Sequence, residues 1–346
     1  ERLPMFEHEL EGTEEEFYPP QVEAGRLKTF IETELSECQA NLPEKWNTNM
    51  AGRVTKYTAA ALLGKYYMFI GEKAKAKTEF WKVIDSHRYE LMENYGDNFN
   101  GLHENNKESI LEVQFTGSLE GGHYEYNLFT LHLGPDSGCG AYEEAYPSKW
   151  LFNTLKKDLT EDGEYSDRLY ETIIFDDPKS RPFYYEDGKG FSDYHQEDNI
   201  YWRKYVTYDK SLGDYWDYSG FNIPLIRYAD ILLLYAECLN DEGNSKEAIK
   251  YINKVRDRVH VTPLSDTLSK EQVLKHLQDV ERPCELALEG SRWYDLIRWG
   301  IVEDALKSHE KPFASNFIST KHIRLAIPHK EFLMNPDWVQ NEGYTK

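Results

Sequence analysis

Apolar residues recur at helical spacing in four stretches of the chain, and between the second and third of these the periodicity disappears. Residues 23–42 carry Leu27, Phe30, Ile31, Leu35 and Cys38, the spacing of one buried helix face, and Pro43 ends the run. Residues 51–85 and 228–259 each hold two such runs, joined near Gly71 and Gly243. In residues 281–300, Leu286, Gly290, Trp293 and Ile297 stand at offsets of four, three and four, so a continuous helix gathers them into one stripe. Beside it, opposite charges stand three apart: Arg282 and Glu285, Glu289 and Arg292, Arg292 and Asp295, Asp295 and Arg298. That spacing supports ion pairs along a helix. Residues 108–116 alternate instead and predict a short strand. From 117 to 222, glycine, proline, aspartate and tyrosine break the helical period, apart from a short helix near 148–157.

The two paired runs agree with each other. Gly64, Tyr67, Gly71, Ala76 and Phe80 stand at the offsets of a tetratricopeptide-type helical hairpin, and Ala236, Leu239, Gly243, Ala248, Ile252 and Val255 repeat them. Pro224 lies just ahead, where a proline suits a helix start. Two unrelated amphipathic hairpins would give the same helices and lose only the solenoid. The expected fold class is mainly α: a tetratricopeptide-like helical-hairpin scaffold, an α/α superhelix, with a large irregular loop-rich insertion and minor β. We expect one domain over residues 1–346, with hairpins at about 53–88 and 224–259, a signature helix at about 270–300 and the insertion at about 117–222. Arg53, Arg227, Asp230 and Glu237 are expected to tie helices together.

Charge removes one class of partner. The 346 residues carry a formal net charge of −21, and no basic stripe exists to neutralise phosphates, which argues against nucleic acid. No apolar run approaches the roughly 20 residues of a membrane span. Cys38, Cys139, Cys238 and Cys284 lie far apart without metal-like spacing, and three of them fall in helical patterns as buried thiols.

Catalytic chemistry is harder to find. There is no nucleophile elbow, P-loop or H-E-x-x-H. His123 and His132 are nine apart in a loop, too little for a metal site. Asp97, Asn98 and Asn100 offer oxygen ligands for calcium, but a solvated turn uses the same residues. Glu285 and Glu289 have a rival reading as an acid/base pair; the structural reading is preferred because each has an arginine within reach. No catalytic residue, metal or cofactor is assigned.

Residues 281–300 read ERPCELALEGSRWYDLIRWG. This resembles the signature of the SusD/RagB family, ERxxELxxEGxRWxDLxRWG, and meets every fixed position. The resemblance extends to RVTK at residues 53–56, to IRYADILLLYAE at 226–237, to Pro147, Ser148, Lys149 and Leu151, to Asp167–Arg168 and to Lys204–Tyr205. The tail matches at Ile327, Pro328, Glu331, Asn335, Pro336, Gln340, Asn341, Gly343 and Tyr344. Family members begin with a lipoprotein signal and further helical repeats, so the resemblance implies a piece lacking its N-terminal part. It also implies a cell-surface, lipid-anchored protein of the outer membrane that captures an oligosaccharide for a SusC-like TonB-dependent transporter. The resemblance implies that this anchor belongs to the part outside this chain. Peptide capture and glycoside hydrolysis are the alternatives.

Of the 25 tyrosines, 14 lie in residues 117–222, with Trp150, Trp202 and Trp216. Aromatic faces suit the apolar C–H groups of a sugar ring, and loops carry binding residues at the surface. Family-wide aromatics such as Trp202, Tyr205, Trp293 and Trp299 cannot choose one member's ligand. The expected binding residues are therefore Tyr124, Tyr126, Tyr142, Tyr184, Tyr185, Tyr194, Trp216 and Tyr218, on loops 122–142 and 184–218.

Overall fold

A computed structural model describes residues 2–7, 18–117, 125–207, 219–309 and 311–346. Its chain is mainly α. Contacts divide it into two compact units, residues 42–292 and a smaller one formed by 1–41 with 293–346.

The larger unit is built on two helical hairpins, Lys56–Phe69 with Lys73–Asp85 and Tyr228–Asp241 with Ser245–Arg258. The first starts at Thr55, whose hydroxyl accepts from the Thr58 amide at 3.3 Å while Thr58 answers the Thr55 amide at 3.1 Å. This capping box explains the threonine of RVTK. Gly64 lets the two helices close up, since a Cβ there would stand 2.5 Å from the Phe80 ring. Gly71 and Gly243 turn the two hairpins at φ +81° and +85°, a conformation that favours glycine. Between the hairpins, Lys65 pairs with Asp230, and Lys73 Nζ approaches Glu237 at 3.9 Å.

Two expectations fail here. Residues 224–227 belong to a strand, Ile223–Arg227, paired antiparallel with Ser109–Val113. Pro224 is tolerated because a two-stranded ladder is all edge, and the helix begins at Tyr228. Arg53 does not join helices; its guanidinium lies over the Trp46 ring, 5.6 Å from the centroid.

The expected signature helix is also broken. Lys270–His276 runs through a wide turn at Leu277–Glu281 into Arg282–Glu285, and a new helix, Ser291–Trp299, begins after a gap. Leu288 and Gly290 take φ of +64° and +76° in that gap, so no single stripe joins Leu286 to Trp293. Leu286 is buried and Trp293 is exposed.

The loop-rich insertion packs its own core, in which Tyr95, Leu155, Leu169, Ile173, Trp202, Tyr205 and Phe221 meet Val259 and Cys284. Minor β appears as Ile173–Ile174 paired with Tyr201–Trp202. Ser148 caps the helix Lys149–Lys157 through the Leu151 amide.

In the smaller unit, the helix Ala24–Asn41 is joined by short segments that side-chain amides staple to the backbone. Gln340 exchanges two bonds with Ile327, at 2.8 and 2.9 Å. Asn341 donates to the Leu325 carbonyl and Tyr344 to that of Arg324. The family-like words of the tail are therefore backbone clamps.

Candidate functional site

Two clusters in the larger unit concentrate chemistry. The first is buried. The ladder brings Glu108 beside Arg227, the second hairpin adds Arg256 and Arg258, and the insertion adds Asp158, Arg168 and Lys204. Glu281, Glu285 and Glu289 of the signature segment point into this group. Arg227 grips Glu289 through Nε and Nη2, both at 2.8 Å, and reaches Glu285 at 3.0 Å and Glu108 through Nη1. Arg168 holds Glu281 at 2.8 Å and Glu285 at 3.1 Å. Arg256 spans Glu281 at 2.6 Å and Asp158 at 2.8 Å. Lys204 Nζ donates to Glu289 at 2.8 Å and to the carbonyls of Ala287 and Glu285 at 3.0 and 3.3 Å.

Five cations thus face five carboxylates, and the phenyl rings of Tyr95 and Phe99 cover Arg227 and Lys204. Burial alone would push the Glu285 carboxyl up. Arg258, Arg227 and Arg168 instead hold it down at about 2. Burial pushes the Lys204 ammonium down to about 8 against the pull of Glu289. Glu285 is ionised, ion-paired and without exposed surface, and Glu289, nearly buried, is held by Arg227 and Lys204, so the geometry favours the structural reading of both over the acid/base one. Partners also differ from the expected ladder. Glu289 is held by Arg227 and Lys204, Arg282 pairs with Asp230 at 2.8 Å, and Arg292 donates to the Gln278 carbonyl and lies over Trp150. Asp295 and Arg298 do pair at i,i+3, at 2.9 Å. Asn98 turns inward to Glu108 at 3.1 Å, so it does not join Asp97 as an oxygen ligand.

The second cluster is half open. Tyr185 and Tyr194 stack with centroids 4.8 Å apart and planes 9° apart, and Tyr184 stands edge-on to both. The Tyr184 hydroxyl meets His195 Nε2 at 3.0 Å. His195 packs on Tyr201 at 4.6 Å and on Phe191 at 4.9 Å, and Tyr146 packs on Tyr201 at 5.9 Å. Gly138, at φ +85°, leans on this block; a Cβ there would meet Tyr194 at 2.6 Å and Tyr184 at 2.9 Å. Loops 136–146 and 182–196 therefore form one surface.

At its rim Tyr142 and Tyr146 are 61% and 54% exposed, on either side of Glu143 and Glu144. Tyr146 donates to Glu143 at 2.5 Å, which pushes its hydroxyl up to about 12. Glu144 lies 2.9 Å from His132 Nδ1. Burial lowers the His195 imidazole to about 4, so it stays neutral inside the block.

Of the expected residues, Tyr184, Tyr185 and Tyr194 come together, and Tyr142 stands in the adjoining loop. Tyr126 is half-buried between two bridge positions, Glu125 and Asn127. Tyr124, Trp216 and Tyr218, like His123, lie outside the described residues. Sequence reasoning missed Tyr146, His195 and Tyr201. The run Tyr142-Glu143-Glu144-Ala145-Tyr146, two rings around two carboxylates, was the available signal for the first.

The SusD family model matches residues 38–344. The chain belongs to the SusD family. It is 26% identical to SusD-like protein P25 of Formosa agariphila, over 92% of this chain and 64% of that protein. A SusD-like protein of Bacteroides ovatus is 25% identical over 78% of this chain, which spans half of that relative's length. Among solved structures, a SusD superfamily protein from Bacteroides vulgatus superposes with a TM-score of 0.82 at 26% identity, covering 95% of this chain and 70% of that one. A laminarin binding SusD-like protein gives 0.74 at 28% identity, covering 99% and 74%. The SusD-family chain thus shares its tetratricopeptide-like α fold with these relatives while spanning less than two thirds of P25.

Proposed function

We propose that this SusD-family chain is the glycan-binding part of a nutrient-capture protein, holding oligosaccharide on the surface formed by loops 136–146 and 182–196. The carrying observation is the exposed Tyr142 and Tyr146 pair, set around Glu143 and Glu144 and backed by a packed aromatic block. Exposed rings offer a face to the C–H groups of a sugar, and neighbouring carboxylates accept from its hydroxyls. Tyr146 rests on Tyr201 of the block and Tyr142 on His132, at 5.7 Å, so little ordering cost is added on binding. The laminarin-binding relative supports the ligand class. The remaining expected residues, Tyr124, Tyr126, Trp216 and Tyr218, are proposed to extend this surface.

The protein works without catalysis, at the outer face of the outer membrane under a lipid anchor, and passes its ligand to a SusC-like TonB-dependent transporter. No helix among the described residues is long and apolar enough to cross a membrane. Stacking contributions of about 1 kcal/mol per ring give a modest affinity, suited to release.

A glycan array followed by calorimetry tests this. Changing Tyr142 and Tyr146 together to Ala should weaken the best neutral-glycan hit by about tenfold or more, two rings at about 1 kcal/mol each, with stability held within about 0.5 kcal/mol. Unaltered affinity moves the site elsewhere. A peptide library hit without any glycan hit replaces the ligand class, and new reducing ends in a glycan incubation overturn the non-catalytic reading.

A further inference from the structure

The larger unit also has a concave site, a groove of about 840 Å³ between the turn at Thr48–Met50, the turn before Tyr89 and the strand Ser109–Val113. That volume is ordinary for a ligand site. It shares no lining residue with the tyrosine block. Its charge runs against the chain: among the described residues four cations, Lys45, Arg53, Arg88 and Lys107, line it with two carboxylates, Glu44 and Glu112, in a protein of net charge −21.

Both carboxylates are already engaged. Glu44 is clamped by Lys56 and Arg88, each at 2.6 Å. Glu112 turns inward and accepts from the Asn105 amide and the Asn222 side chain, each at 2.9 Å. Two cations are not: among the described residues neither Lys45 nor Arg53 meets a carboxylate. Arg53 is held in place all the same. Its guanidinium lies over Trp46, whose indole N–H is fixed to the Val54 carbonyl at 2.8 Å. A guanidinium oriented by a ring keeps its forked donors for a planar or tetrahedral anion.

We propose that this groove is a second binding site, for an acidic sugar whose carboxylate or sulfate is taken by Arg53 with Lys45. The sugar part of this assignment rests on the glycan reading above; the acid group rests on the charge balance of the groove. The tyrosine surface, with Glu143 and Glu144 at its rim, repels such a ligand, so the two sites divide neutral from acidic units.

Calorimetry on the full chain at low salt separates the possibilities. The probes are a galacturonate oligosaccharide, a sulfated galactan oligosaccharide and a neutral laminarin oligosaccharide. One or both acidic probes should bind, weaken as salt rises, and lose about tenfold in affinity in Arg53→Gln. Arg53→Lys should restore part of that loss. The galacturonate and sulfated arms tell which acid is preferred. Arg53 is exposed, so its variants keep the fold even where Trp46→Ala does not. Acidic probes that bind no tighter than the neutral one overturn the proposal, as does acidic binding that survives Arg53→Gln. Acidic binding lost only in the Tyr142 and Tyr146 double variant overturns it too, while leaving the glycan reading intact. Arg53-dependent acidic binding without any neutral-glycan binding supports the groove and removes the tyrosine surface.

Discussion

The buried ion cluster and the tyrosine surface are both dense in polar chemistry, yet they differ in what is left over. In the first, each carboxylate has a cation and each cation has several acceptors. In the second, Tyr142 and Tyr146 remain more than half exposed, although their neighbours are packed. Spare capacity, more than the number of charged or aromatic residues, separates a framework from a site. Desolvating ten charges makes the first cluster costly to disturb and a poor source of net stability. It fixes which elements meet: Arg227 alone gathers residues from 62 positions downstream and 119 upstream in the chain.

The comparison breaks most readily at Arg227. Arg227→Ala takes one cation from each of Glu108, Glu285 and Glu289, leaving three buried carboxylates to Arg168, Arg258 and Lys204, and should cost about 3–5 kcal/mol in denaturant unfolding; a loss below about 1 kcal/mol would show that the cluster relaxes or hydrates. Acid sharpens the contrast next. Glu285 sits at about 2, below its ordinary 4.5, so its contribution is complete above 4.5 and is lost as pH falls toward 2. His195 sits at about 4, below its ordinary 6.5. Its neutral form supports the fold fully above 6.5 and loses that support as pH falls toward 4. Near-ultraviolet circular dichroism of the tyrosines should therefore change before the far-ultraviolet signal collapses, and simultaneous loss would remove the distinction. Gly138→Ala places a methyl against Tyr184 and Tyr194 at positive φ, and should cost about 1–3 kcal/mol while weakening neutral-glycan binding; an unchanged melting temperature would mean that the loops re-seat. Tyr185→Phe gives the smallest change. The hydroxyl is buried and among the described residues has no partner, so stability should stay within about 0.5 kcal/mol. A larger loss would reveal a bond that forms in solution.

The hairpins were legible because helix packing writes itself in local spacing: Gly64 opposite Phe80, Ala76 and Ala248 at buried positions, a glycine at each turn. The signature segment was misread for the opposite reason. A left-handed Leu288 leaves no mark in the sequence, and a helix period drawn through it counts residues that the backbone has redirected. Ion partners were misassigned because the true ones come from far along the chain, where an i,i+3 rule cannot look. Half of the aromatic block was visible as tyrosine-rich loops. Which rings face inward, as Tyr184 does, and which face solvent, as Tyr146 does, depends on where Gly138 and His195 bring two loops together.

The ammonium of Lys204 sits at 2.8–3.3 Å from two backbone carbonyls and one carboxylate oxygen. That is the kind of oxygen nest in which many proteins house a potassium or sodium ion. Here the cation is delivered on a tether by the polypeptide itself, so it cannot be leached by dialysis, exchanged for a competitor or starved by the medium. Folding is thereby independent of which monovalent salt happens to bathe the protein.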